Sequence, residues 1–301
     1  MKLFSDPEKS QIQQDALRVA GKPDDPRHNH NVQELLMALQ IILHVLGKEW
    51  YERAGKEMNA SFDVQTLSRN NQSPISYYLG SGDPSKFIRL IAFAVFLKNL
   101  LGKTNIQTKL RAYAKENRKK DQVIPIDKFD STYFELKVAN YFLNGGFRVE
   151  FIKELRNEQT PDLRITSSSG STLVECKKKR SKNSYSVSNI TDTIHVANNQ
   201  LESFNATGII AIEISTNNQL IEKEITELKH EIGIIISSMP KVMLIWILNE
   251  YIFLDTLTDE QVIRTEEFHV VNPNSERCIP EDIMTVILGT NPTEQRSLYE
   301  D

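Results

Sequence analysis

Glu175 and Lys177 stand two residues apart in the run Thr172-Leu173-Val174-Glu175-Cys176-Lys177. On a strand, both side chains leave one face while Cys176 leaves the other. Asp162 follows Pro161 at the mouth of a second short apolar run, Leu163–Ile165. Upstream, Glu135 lines up with Ala139 and Phe142 at i, i+4 and i+7 of a helical segment. That face turns inward, where an acid is expensive unless it is paired or holds a metal. Two or three carboxylates and one ammonium can therefore converge at a sheet edge. The chemistry this suits is hydrolysis of a phosphodiester. Carboxylate oxygens are the hard ligands that Mg²⁺ requires, with waters and substrate phosphate as its other ligands. Such an ion acidifies a bound water and neutralises charge on the transferring phosphate. A neighbouring lysine can orient the attacking water, help deprotonate it, or stabilise phosphate oxygens.

An acid-x-Lys triplet alone selects nothing, because the chain has three: Glu135-Leu136-Lys137, Glu175-Cys176-Lys177 and Glu227-Leu228-Lys229. The first and third fall on predicted helices, where residues i and i+2 point well apart. The 175–177 copy falls on a predicted strand, behind a turn and a Pro-Asp. The competing structural reading makes Glu175 and Lys177 a surface pair worth tenths of a kcal/mol. It leaves Glu135 solvated by one residue of helix phase and Cys176 a small core side chain.

Pro161-Asp162, twelve intervening residues and Glu175-Cys176-Lys177 resemble the signature of the PD-(D/E)XK nuclease superfamily, the restriction-endonuclease-like fold. The upstream helix with Glu135, Ala139 and Leu143, followed by Gly146-Phe147-Arg148-Val149, resembles the opening helix and first strand of that core. The likeness covers residues 130–250 and says nothing about 1–120. It implies metal-dependent DNA cleavage with Mg²⁺ or Mn²⁺, Asp162 and Glu175 as metal ligands with the backbone carbonyl of Cys176, and Lys177 as the catalytic lysine. Glu135 matches the additional acid that many members carry on the first helix. In some branches a later helix adds a glutamine, and Gln200 in Asn198-Asn199-Gln200-Leu201 matches that place; its competing reading is an ordinary surface amide. The implied setting is defence of a bacterium or archaeon against foreign DNA. An RNA nuclease, and a non-cleaving nucleic-acid-binding or assembly module of the same fold, are the alternatives.

The elements that must position these residues follow from periodicity. Apolar spacing predicts helices over 32–51, 75–79, 85–101 and 106–118, and Lys119–Asp130 reads as the connection to a second domain. From Asp130 helices and strands alternate: a helix to Leu143 stopped by Gly145-Gly146, strands 147–152, 163–165 and 172–177, a helix 189–204, a strand 208–215, a helix 220–237 and a strand 242–248, with 251–255 pairing nearby. The expected fold class is α/β: a three-layer core with a mixed central sheet, preceded by an all-helical domain. The expected boundaries are 1–122, 123–290 and a polar tail, 291–301. Asp24-Asp25-Pro26-Arg27-His28-Asn29-His30 reads as a polar connection rather than a metal site.

Composition bounds the partners. With 301 residues, 40% hydrophobic and 25% charged, the chain is neither collagen-like nor disordered, and Cys176 and Cys278 are too few for a disulfide framework. A reducing cytoplasm, no signal peptide and no membrane are the expectations. The formal charge of −4 hides an asymmetry. Residues 1–128 carry 20 basic and 14 acidic side chains, and 129–301 carry 16 and 26. Between Lys98 and Lys120, eight cations including Lys115, Arg118 and Lys119 face only Glu116. This cluster could track a phosphate backbone or be a solvated helix face. Lys178, Lys179 and Arg180, with Lys182 and Tyr185 in the loop beyond, are placed to grip phosphates and stack a base. A homodimer or a regulatory protein partner would supply the restraint that a nuclease needs.

Overall fold

A computed structural model describes residues 26–55, 74–80, 84–115, 126–153, 160–178, 187–216, 219–255 and 260–289. These form two compact units: 26–101 with 110–136, and 102–109 with 137–289.

The first unit is helical. It holds α1 (Pro26–Leu46), α2 (Lys48–Gly55), α3 (Pro74–Gly80) and α4 (Pro84–Leu100). It also takes the later part of α5 (Ile106–Lys115) and the start of α6 (Ile126–Asn144). Leu35, Leu39 and Ile42 of α1 and Leu90, Phe93 and Leu97 of α4 are buried at helical spacing. The two charges that interrupt the apolar run of α4 are accommodated separately. Lys98 is exposed, and the Arg89 guanidinium lies 5.2 Å from the Tyr133 ring centroid, a cation–π contact. Phe129 meets Phe93 as a tilted ring pair with centroids 4.6 Å apart, and the Tyr78 hydroxyl donates to the buried Asp130 carboxylate. Two expectations are corrected here. Residues 26–30 are not a connection but open α1, with Pro26 in the first turn, where its missing N–H has no consequence. Likewise α6 begins at Ile126, inside the stretch expected to connect domains, because Ile126 and Phe129 are core residues.

The second unit is an α/β structure on a six-stranded mixed sheet. Its strands are β1 (Arg148–Phe151), β2 (Leu163–Ser167), β3 (Gly170–Lys178), β4 (Gly208–Ser215), β5 (Val242–Asp255) and β6 (Glu260–Val271), adjacent in that order. β1–β2–β3 are antiparallel, β3–β4–β5 parallel, and β5–β6 antiparallel. The parallel pairs need crossovers, supplied by α7 (Val187–Ser203) and α8 (Glu222–Ile236). Ile190, Ile194, Ala197 and Leu201 of α7 and Leu228, Ile232 and Ile236 of α8 share one core with Leu173, Ile210, Ile212, Ile245 and Ile247. On the other face Trp246 meets Tyr141 and Phe142 of α6, at ring distances of 4.6 and 5.7 Å. β4 is therefore covered on both sides, which explains its unbroken apolar sequence.

Two glycines are required by geometry. Gly146 takes a φ of 85°, the left-handed conformation that ends α6. A Cβ on Gly208 would lie 2.7 Å from the Leu173 carbonyl oxygen, so β4 reaches β3 only with glycine there. Periodicity predicts neither β6 nor α9 (Glu281–Gly289), and β5 is one continuous strand rather than two segments. β6 is an edge strand with Glu266, Glu267 and His269 among its apolar residues, which blurs alternation.

His269, across from Trp246, is half-buried. Burial, and then the Lys229 ammonium, hold its pKa below the ordinary 6.5. The unfolded chain therefore binds more protons at this position, so the contribution to stability is present above pH 6.5 and lost as the pH falls below it. Thermal melting points should drop between about pH 7 and about pH 5, with a shallower drop for His269→Gln. Parallel curves for the two proteins would refute this assignment.

Candidate functional site

The Pro-Asp step and the end of β3 build the site. β2 and β3 are in register at Leu163↔Val174, so the next residues outward, Asp162 and Glu175, stand across from one another. Pro161 has no N–H to donate and precedes the strand rather than joining it. The Asp162 backbone is held by β1, since its carbonyl accepts from the Ile152 N–H at 2.9 Å. Its side chain turns to β3, where Oδ2 accepts from the Cys176 N–H at 2.8 Å. A strand residue presents its N–H and its C=O to the same side, so the Cys176 carbonyl also faces the margin that β2 has left.

Glu175 and Lys177 project from the face that α7 covers. Glu175 is 1% exposed and lies next to Ile210 of β4. A carboxylate at that depth needs a charged partner, and the Lys177 Nζ supplies one at 2.5 Å from Oε1. The same ammonium donates to Oε1 of Gln200. The Gln200 amide in turn donates to the carbonyl of buried Thr160 at 3.5 Å. Burial excludes the reading of Glu175 and Lys177 as a surface pair. The other two acid-x-Lys triplets lie on α6 and α8.

The structure thus brings Asp162, Glu175, Cys176, Lys177 and Gln200 together through the register and the hydrogen bonds just described. Glu135 is buried at 7% exposure but belongs to the first unit. Cys176 is buried on the opposite face and is in no disulfide. Lys178 differs from expectation. β3 runs one residue past Lys177, so alternation sends Lys178 to the other face, where its ammonium forms a buried ion pair with Glu213 of β4. Lys109, from the basic stretch, is buried as well. The side chain of Lys115, and Arg118, Lys119, Lys179, Arg180, Lys182 and Tyr185, lie outside the described residues. Sequence reasoning missed the Thr160 carbonyl; its position just before the Pro-Asp was the available signal.

Among the described residues, no three His, Cys, Asp or Glu side chains group to hold a metal. A divalent ion at this margin would have the Asp162 and Glu175 carboxylates and the Cys176 carbonyl as its protein oxygens. That set fits Mg²⁺, which keeps several waters and takes few protein ligands. No helix among the described residues is long and apolar enough to cross a membrane. Compared with models of known families, with curated proteins and with solved structures, the chain matches none.

Proposed function

We propose that this chain is a metal-dependent nuclease with a restriction-endonuclease-like core, hydrolysing phosphodiester bonds of DNA at the margin between β2 and β3. The observation that carries this reading is the buried Glu175 carboxylate, linked through Lys177 to Gln200 of α7, on the strand whose backbone N–H holds the Asp162 carboxylate. Bound Mg²⁺ or Mn²⁺ would supply Lewis-acid polarisation of the phosphate and a water of lowered pKa. The protein's own part is positioning. Asp162 is fixed at the margin by a backbone donor, the Cys176 N–H. Lys177 has three N–H donors; Glu175 and Gln200 take two, and the third is available to a water or a phosphate oxygen. In that role the lysine orients the nucleophile or holds the phosphate as a charged donor.

The test is a substrate screen of the full chain with plasmid DNA, oligodeoxynucleotides and RNA, with Mg²⁺ or Mn²⁺ and with chelator. Cleavage of DNA that needs the ion and stops with chelator is the expected result. Faster cleavage of RNA would change the substrate. Binding without cleavage under either ion would leave a non-catalytic module and end the nuclease reading.

A further inference from the structure

The second unit also carries a cleft of about 380 Å³ at the opposite end of β3, lined by Arg164, Lys241, Arg277, Glu276, Thr207 and Phe204 among others. Its charge runs against its surroundings, since residues 129–301 hold ten more acids than bases. Lys241 and Glu276 pair at 2.8 Å and neutralise each other. Arg164 reaches Glu150 at 3.6 Å, but that carboxylate also holds Arg148 at 2.6 Å, so one acid serves two guanidinium groups. Arg277 is exposed. The cleft and its rim therefore carry an excess of cations, with the Thr207 hydroxyl as a further donor and Phe204 as an apolar wall.

Position relates this cleft to the candidate site. Arg164 pairs across from Leu173, which shares the sheet face of Glu175 and Lys177. Just past the end of α7, the Phe204 N–H donates to the Gln200 carbonyl at 3.1 Å, so the chain segment that meets Lys177 leads directly into the wall of the cleft. Leu173 lies two residues from Glu175 and four from Lys177, about 7 and about 13 Å along the strand. At about 3.4 Å of duplex axis per phosphate on each strand, this is a separation of roughly two to four nucleotides.

We propose that this cleft is an anion subsite that holds a backbone phosphate of the bound nucleic acid, roughly two to four nucleotides from the phosphate at the β2–β3 margin. The inference rests on the nuclease reading for its substrate class. Arginine suits it, because the guanidinium fork meets two phosphate oxygens at once.

The experiment is fluorescence anisotropy of the full chain with a labelled DNA duplex, titrated in chelator over a range of salt concentrations. Arg277→Ala and Arg164→Ala should each weaken binding roughly threefold to tenfold at low salt and lower the slope of log K against log salt by about one. Arg277→Lys should keep the slope, which separates a phosphate contact from a folding defect. Unchanged slopes in both alanine variants, or no duplex binding by the wild type, overturn the subsite. Cleavage is read separately. Metal-dependent cleavage with unchanged slopes removes the subsite alone, whereas lowered slopes without cleavage under either ion keep the subsite and remove the nuclease reading.

Discussion

Glu175→Gln and Asp162→Asn are each expected to lower metal-dependent DNA cleavage by about 10³-fold or more, equivalent to about 4 kcal/mol of transition-state stabilisation. Both substitutions keep shape and remove charge. In Asp162→Asn the amide oxygen can still accept from the Cys176 N–H, so the β2–β3 margin keeps its geometry. In Glu175→Gln the carbonyl can still accept from Lys177, whose side chain is 24% exposed and so retains contact with water. Melting points should therefore move little while the rate collapses, because a neutral amide is a poor ligand for a hard divalent ion. The measurement is the single-turnover rate at saturating Mg²⁺, alongside thermal melting of each variant. Two well-folded variants that cleave at the wild-type rate would remove these carboxylates from the chemistry.

The candidate site was more legible in the sequence than its surroundings, and the reason lies in how each signal arises. Glu175 and Lys177 end a short run, Thr172-Leu173-Val174, of strand-forming residues behind a Ser/Gly turn, so their shared face follows from strand geometry alone. Gln200 could be placed near them because α7 has a clear apolar stripe at Ile190, Ile194, Ala197 and Leu201, which fixes its phase against the sheet. Lys178 misled because a run of basic residues looks like one surface feature, whereas a strand divides it between two faces. Buried charges on the far face were invisible for a related reason. Lys137, in one of the discounted triplets, bonds Glu250 and the Thr265 hydroxyl, both at 2.9 Å, and only the sheet pairing of β5 with β6 brings these together. β6 itself has a mixed pattern that matches neither period, and α9 is short. Its place follows from tertiary contacts such as the Tyr141 hydroxyl donating to the Val286 carbonyl at 3.1 Å.

The far face also yields the largest expected effect on stability. Glu213 is fully buried and its partner Lys178 is nearly so, with side-chain exposures of 0% and 5%. Glu213→Leu would leave the Lys178 ammonium without this counter-charge in a setting where water cannot replace it. Loss of one partner of a buried pair costs about 3–5 kcal/mol. Lys178→Met combined with Glu213→Leu should recover most of that, because two apolar side chains need no solvation and Glu213 lies between Ala211 and Ser215 on a strand packed on both faces. Urea unfolding of the two single variants and the double variant measures this, and a Glu213→Leu cost below about 1 kcal/mol would contradict it. The double variant has a second reading for function. Lys178 points away from Glu175 and Lys177, so a protein restored in stability should also keep its cleavage activity. If stability returns and cleavage does not, the Lys178–Glu213 pair fixes the end of β3 against β4 and thereby aims Lys177, a positioning role distinct from contact with substrate.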